Sequence, residues 1–216
     1  MMKKLFIFDL DGTLINTIAD LAESTNQALR ILGFPCHEIE EYKYFVGNGI
    51  MKLFERALPE DARTDENIQK VHSLFVPYYD IHNTDRSKVY ENMPDVLKTL
   101  QDNGALLAVA SNKYQRATSK LVSYYYPDIH FSVVFGQRDN VPTKPDPTIV
   151  FNILKITNIN KKDTIYLGDS CVDMQTAKAA GVDACGVTWG FRPKEELIKE
   201  QPLYIIDKRN DILSFL

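Results

Sequence analysis

The stretch Leu5-Phe6-Ile7-Phe8-Asp9-Leu10-Asp11-Gly12-Thr13 decides how the chain is read. Four consecutive apolar residues predict a strand with both faces covered, the pattern of a parallel sheet. The run then stops at two carboxylates one residue apart, Asp9 and Asp11. A buried carboxylate is costly unless a positive or hydrogen-bonding partner compensates it. Taken alone, the segment also reads as a strand ending in an ordinary Asp-Gly turn.

Working outward, apolar runs at Leu106–Ala110, Val133–Phe135, Thr164–Leu167, Ala184–Val187 and Leu203–Ile206 predict further buried strands. Helical patterns separate them. One has Pro94 near its start and Gly104 just past its end, the expected asymmetry. Another carries Ile149, Val150, Ile153, Leu154 and Ile156 at helical spacing, and a third ends in Gly181. The alternation predicts an α/β protein, a Rossmann-like doubly wound parallel sheet with its site at the carboxyl ends of the strands. Residues 16–88 break the alternation. Helical patterns at 17–33, 47–58 and 65–82, the last bent at Pro77, predict an inserted all-α cap domain above the first strand. Residues 1–15 and 89–216 then form the core domain.

The 216 residues are 44% hydrophobic and 25% charged, enough apolar material for a real core. A net charge of −4 and a pI near 5.6 do not support a nucleic-acid face. Cys36, Cys171 and Cys185 share no paired spacing, which predicts a reducing compartment. The apolar run before Asp9 is too short for a secretion signal, and no stretch is long enough to span a membrane. The expectation is a cytoplasmic protein, monomer or homodimer.

A second acidic pair, Asp169 and Asp173, follows the apolar run Ile165-Tyr166-Leu167. If a helix begins there, both carboxylates face one mouth; the plainer alternative is an acidic helix start. Two strands ending in carboxylates call for a cation between them. Hard oxygen ligands suit Mg²⁺, which commonly shares its coordination with substrate phosphate. Ser111 and Asn112 close the run "VASNK" and offer donors to phosphate. Lys144 sits in "VPTKPDP", where Pro142, Pro145 and Pro147 restrict the backbone that aims it; its alternative is a solvated loop lysine.

"DLDGT", "VASN", "TKPDP" and "GDSCVD" occur in this order, and the chain resembles the haloacid dehalogenase-like hydrolases over essentially its whole length. The helical insertion is similar to the small cap of subclass I. "FVGNGI", "SNK" and "GVTWGF" resemble the phosphoglycolate phosphatase branch. That branch often carries Pro-Tyr-Pro-Gly-Val where this chain has "VYENM", with Asn92 in the glycine position; Asn tolerates left-handed backbone better than most residues.

The resemblance implies Asp9 as nucleophile and Asp11 as general acid and base. It implies Mg²⁺ held by Asp9, the Asp11 carbonyl and Asp169, with Asp173 acting through water. Gly12, Ser111, Asn112 and Lys144 would meet the phosphoryl group. Gly47, Asn48 and Gly49 either present backbone N–H groups to the far end of the substrate or form a plain turn. Lys43, Lys52 and Arg56 are alternative cationic contacts. The substrate would be a small phosphorylated metabolite, 2-phosphoglycolate first. Pyrophosphate, sugar phosphates and nucleotides are alternatives, as are a phosphomutase of the same family and, more distantly, a non-enzymatic phospho-acceptor. Cys171 reads as a small filler or a reactive thiol, and Trp189 as a domain-interface or half-buried core residue.

Overall fold

In the computed structural model, which describes residues 2–216, the run Leu5–Phe8 forms β1 with every residue buried. A short β2 (Ile15–Asn16) follows, then α1 (Ile18–Leu32), α2 (Ile39–Phe45), α3 (Ile50–Ala57) and α4 (Asp65–His82). β3 (Lys88–Val89) returns antiparallel to β2, pairing Ile15 with Val89 and Asn16 with Lys88. Strands and helices then alternate: α5 (Met93–Asp102), β4 (Leu106–Tyr114), α6 (Gln115–Tyr125), β5 (Val133–Gln137), α7 (Thr148–Thr157), β6 (Thr164–Gly168), α8 (Cys171–Ala180), β7 (Asp183–Val187), α9 (Lys194–Lys199) and β8 (Tyr204–Ile206).

Six strands form one parallel sheet in the order β5-β4-β1-β6-β7-β8. The near-continuous apolarity of β1 has a direct cause. Phe6 and Phe8 join Leu107, Val109, Ile165 and Leu167 beneath Val96, Leu97 and Leu100 of α5. Leu5 and Ile7 face the other way, with Ala108, Ala110 and Tyr166, against Ile149 and Ile153 of α7 and Met174 and Ala177 of α8. β1 is central, and the chain leaves it first toward β4 and later toward β6. That reversal opens a crevice at the carboxyl ends of these three strands.

The helices α1 to α4 bury their own cluster, including Leu21, Leu29, Tyr42, Leu53, Phe54, Phe75 and Tyr79, to which the sheet side adds Ala117 and Phe191. Among the described residues no helix is long and apolar enough to cross a membrane.

Two details differ from the sequence reading. α2 has no counterpart in it; the helix starts from a capping box in which Glu38 and Glu41 satisfy each other's backbone N–H groups. α4 runs over the expected residues, with Pro77 inside it. β4 continues four residues beyond Ala110, so Ser111, Asn112 and Lys113 are buried strand residues rather than a following loop. Asn92 does adopt left-handed backbone, with φ 62°, immediately before α5.

Candidate active site

The floor of the crevice is acidic. Asp9 extends β1, its N–H still donating to the Leu167 carbonyl of β6 at 2.9 Å. Asp169 follows β6, and Asp173 lies in the first turn of α8. Ser170 caps that helix: its hydroxyl and backbone N–H both donate to Asp173 Oδ2, at 2.6 and 3.2 Å. One carboxylate oxygen from each of Asp9, Asp169 and Asp173 lies within 4.8 Å of the others, and all three residues are buried.

Lys144 is threaded into this cluster from the loop before α7. Its Nζ lies 2.9 Å from Asp9 Oδ1, 2.7 Å from Asp173 Oδ1, and 3.0 Å from both the Ala110 carbonyl and the Tyr166 hydroxyl. An ammonium has three donors, so the set is fully committed to protein oxygens. Asn112 holds the lysine's backbone, accepting from Lys144 N–H at 2.8 Å and donating to the Lys144 carbonyl at 3.1 Å.

Burial works against the Lys144 charge, but Asp173 and Asp9 outweigh it and hold its pKa well above the usual lysine value. Burial also raises Asp9, to about 7, with Lys144 pulling down and Asp173 and Asp11 pushing up. Asp169 is raised by burial and then by the charges of Asp173 and Asp9. One ammonium is therefore too little charge for three carboxylates. Asp173 spends both oxygens on Lys144, Tyr166 and Ser170. Asp9 Oδ2 and Asp169 Oδ1 have no hydrogen-bond partner among the described residues. Crowded hard oxygens short of positive charge fit a divalent cation, and Asp9 and Asp169 are the carboxylates with an oxygen left to offer one.

Three glycines permit this crowding. An added Cβ would come within 2.3 Å of the Asp169 carboxylate at Gly12, within 2.2 Å of the Asp169 side chain at Gly190, and within 2.3 Å of Asp173 at Gly168. Gly12 therefore shapes the Asp169 position and sits behind it. The neighbouring Phe191 N–H donates to Asp169 Oδ2 at 2.6 Å.

Asp11 occupies the rim. Its Oδ1 accepts from the Thr17 hydroxyl at 2.6 Å, and both its oxygens accept from Lys113 Nζ at 3.1 and 3.2 Å. The same ammonium stands 4.7 Å from the ring centroid of Tyr79 on α4. Thr17 opens the helical region, so the Asp11 carboxylate is anchored to the cap as well as to the sheet. The role of Lys113 escapes the sequence reading, which treats "SNK" only as part of a resemblance.

Between floor and cap lies a cavity. Asp9, Asp11, Ser111, Asn112, Lys113 and Asp169 line it from the sheet side, and Val46, Gly47, Gly49, Ile50 and Leu53 from the cap. Lys144, Asp173 and Gly12 lie outside the lining. Asn48 turns to Arg56, accepting from its Nη2 at 2.8 Å. Lys43 and Lys52 pair with the surface carboxylates of Glu40 and Glu55, both at 2.6 Å. Two core residues grip the cap by its main chain: Asn112 Nδ2 donates to the Gly47 carbonyl at 3.0 Å, and Arg192 Nη2 to the Val46 carbonyl at 3.0 Å. Burial raises the Cys171 thiol to about 11, so it is not a thiolate at neutral pH. The Trp189 indole donates to the Thr13 carbonyl at 3.1 Å and packs, partly buried, on the sheet core.

A strand that ends in carboxylates, a buried lysine, a second acidic strand end and a helical cap are the features on which the chain resembles the haloacid dehalogenase-like hydrolases. The model of that family matches residues 6–187, and the chain belongs to it. Phosphoglycolate phosphatase 1 of Pseudomonas aeruginosa is 32% identical over 217 residues, which span 98% of this chain and 79% of that protein. Phosphoglycolate phosphatase of Psychrobacter arcticus is 32% identical over 224 residues, 100% of this chain and 96% of that one. A crystal structure from Lactobacillus delbrueckii subsp. bulgaricus matches with a TM-score of 0.93 at 30% identity, covering 98% of this chain and 97% of that chain.

Proposed function

We propose that the protein is a Mg²⁺-dependent phosphatase of small phosphate monoesters, with 2-phosphoglycolate as its preferred substrate. The observation that carries the reading is the pairing of two differently held carboxylates, Asp9 and Asp11, on one small cavity. The names of the relatives support the choice of substrate.

In the proposed mechanism Asp9 attacks phosphorus in line, the phosphorus–alkoxide bond breaks, and Asp11 gives its proton to the leaving oxygen. Asp11, now ionised, takes a proton from water as that water attacks the aspartyl-phosphate, releasing phosphate and Asp9. Ser111 contributes its hydroxyl to the phosphoryl oxygens. Lys144 acts on Asp9 itself, keeping one oxygen occupied so that the other faces the cavity. The bound Mg²⁺ would supply positive charge against the phosphoryl oxygens. Asp9, Asp169 and the Asp11 carbonyl would hold it, with Asp173 orienting its surroundings. Residues 16–88 would move as the cap, hinged at the β2–β3 ribbon and at Asp20, whose carboxylate accepts from the N–H groups of Arg86 and Ser87.

A phosphate-release screen with Mg²⁺ over phosphoglycolate, pyrophosphate, sugar phosphates and nucleoside monophosphates tests the reading. Phosphoglycolate should give the highest kcat/KM. Release that requires a sugar bisphosphate activator would point to a mutase, and no release from any ester would remove the phosphatase reading.

A further inference from the structure

Two cationic side chains line the cavity, Lys113 and Arg192. Lys113 is already committed to both oxygens of Asp11. Arg192 has no such partner. It directly follows Phe191, whose N–H holds Asp169, so its backbone is fixed to the acidic floor. Its side chain is only 13% exposed. Nη2 donates to the Val46 carbonyl at 3.0 Å and the Tyr44 carbonyl at 3.3 Å. Nε lies 3.9 Å from Glu196 Oε1, beyond hydrogen-bond reach. Nη1 has no partner among the described residues. A guanidinium carries five N–H donors; Nη2 accounts for two, and the other three make no hydrogen bond among the described residues.

A second observation concerns charge. Arg56, reaching over from α3, donates through Nη1 to the same Tyr44 carbonyl at 3.3 Å and to the Phe45 carbonyl at 2.9 Å. Two guanidinium groups thus converge on one carbonyl oxygen. Burial first, and then the Arg192 charge, press the Arg56 pKa downward. The nearby carboxylates answer this only in part. Glu55 is paired with Lys52 on the surface, and Glu196 keeps the longer separation from Arg192. Two converging cations beside a small cavity are relieved by an anion inside it. Gly47, with φ 120°, presents no side chain there; a Cβ would lie 3.9 Å from Arg192 Nη2.

We propose that Arg192 is the specificity-determining residue of this site, its unspent N–H donors receiving a carboxylate at the end of the substrate remote from phosphorus. The planar fork of a guanidinium matches a carboxylate in a way a lysine does not, and Arg56 adds to the field without entering the cavity. The assignment rests on the phosphatase reading and narrows it to phosphate esters of short hydroxy acids, as against esters of neutral alcohols. Because the same guanidinium holds the Val46 and Tyr44 carbonyls, a bound carboxylate would also favour the closed cap.

The test compares 2-phosphoglycolate with 2-hydroxyethyl phosphate, which carries CH₂OH in place of the carboxylate. Wild-type protein should prefer phosphoglycolate. Arg192→Gln should lower kcat/KM for phosphoglycolate roughly 10- to 100-fold, the worth of a charged hydrogen-bonded contact, mostly through KM. The loss on hydroxyethyl phosphate should be several times smaller, so that the preference collapses, and Arg192→Lys should recover part of it. Equal losses on the two esters would mean that the guanidinium only holds the cap, and would overturn the assignment, as would a wild-type protein indifferent to the carboxylate. Binding to the Asp9→Asn protein, measured by calorimetry, separates this question from turnover. Tighter binding of phosphoglycolate than of hydroxyethyl phosphate, lost on adding Arg192→Gln, supports the assignment even if no ester is hydrolysed. Equal binding of the two esters overturns it whatever the catalytic result.

Discussion

Two lysine–carboxylate pairs face each other across the crevice, and they are built differently. Lys144 and Asp9 belong to the sheet: every partner of the ammonium comes from β1, β4, β6 or α8, and nothing in the set touches the cap. Lys113 and Asp11 straddle the boundary, the carboxylate bound by Thr17 and the ammonium set over Tyr79. The proposed nucleophile is therefore held by the sheet domain, while the proposed acid–base group is referred to the part that would move. In the proposed reaction the first must never shift, and the second must be in place only when the cap is down.

The largest expected effect breaks the rigid pair chemically. Asp9→Asn should cut phosphate release by roughly 10⁴-fold or more while leaving Tm close to wild type, because the volume is nearly unchanged and Asp173 still accompanies Lys144. Substantial residual turnover, or labelled phosphate trapped on another residue, would end the nucleophile assignment.

Next comes the contrast in stability. Lys144→Met leaves two buried carboxylates without their cation and should cost about 3–5 kcal/mol. Lys113→Met leaves a single carboxylate, still held by the Thr17 hydroxyl, and should cost about 1–3 kcal/mol. Chemical denaturation of the two variants without metal measures the difference; equal losses would erase the distinction between floor and rim.

Protons sharpen the same contrast. In the folded metal-free protein Asp9 keeps its proton up to about pH 7, whereas the unfolded chain releases it near about pH 4. Asp169 is displaced in the same direction. The folded state therefore binds more protons than the unfolded state between those values, and metal-free stability falls as pH rises across that window. Mg²⁺ bound by Asp9 and Asp169 as proposed would take the place of these protons, so the rise in Tm on adding Mg²⁺ should grow from about pH 5 to about pH 7. An increment that shrinks with pH would count against Asp9 and Asp169 as ligands.

The smallest effect is at the boundary. Thr17→Val removes one hydrogen bond to Asp11 and should slow kcat roughly 3- to 10-fold, with little change in KM or in Tm. No change would mean that Asp11 takes its position from Lys113 alone.

Much of this was legible in residue patterns, and the rest was not for physical reasons. The β1, β4 and β6 runs announce a covered sheet because two-sided burial leaves no polar alternation. Asp9, Asp11, Ser111, Lys144 and Asp169 announce a site because each follows an apolar run or sits among prolines. Asn92 could be placed in left-handed backbone because it stands where the resembling branch carries glycine and asparagine tolerates that geometry. By contrast α2 is seven residues long and opens on glutamates, which say little about where a helix begins. Lys113 and Arg192 look like any surface cation, and nothing local tells that one ammonium meets a carboxylate 102 positions earlier or that one guanidinium crosses to the cap. Both contacts join residues far apart in sequence, one pair within the core and the other between core and cap.

The main-chain grip on the cap bears on how this protein can change over generations. Asn112 and Arg192 hold carbonyl oxygens of Tyr44, Val46 and Gly47, and a carbonyl is present whatever the side chain. Substitutions at Tyr44 or Val46, or on the cavity-facing side of α3, therefore leave these attachment points in place. Cap side chains are free to drift toward other substrates without first losing closure, which makes this face the natural one to randomise in a directed-evolution library.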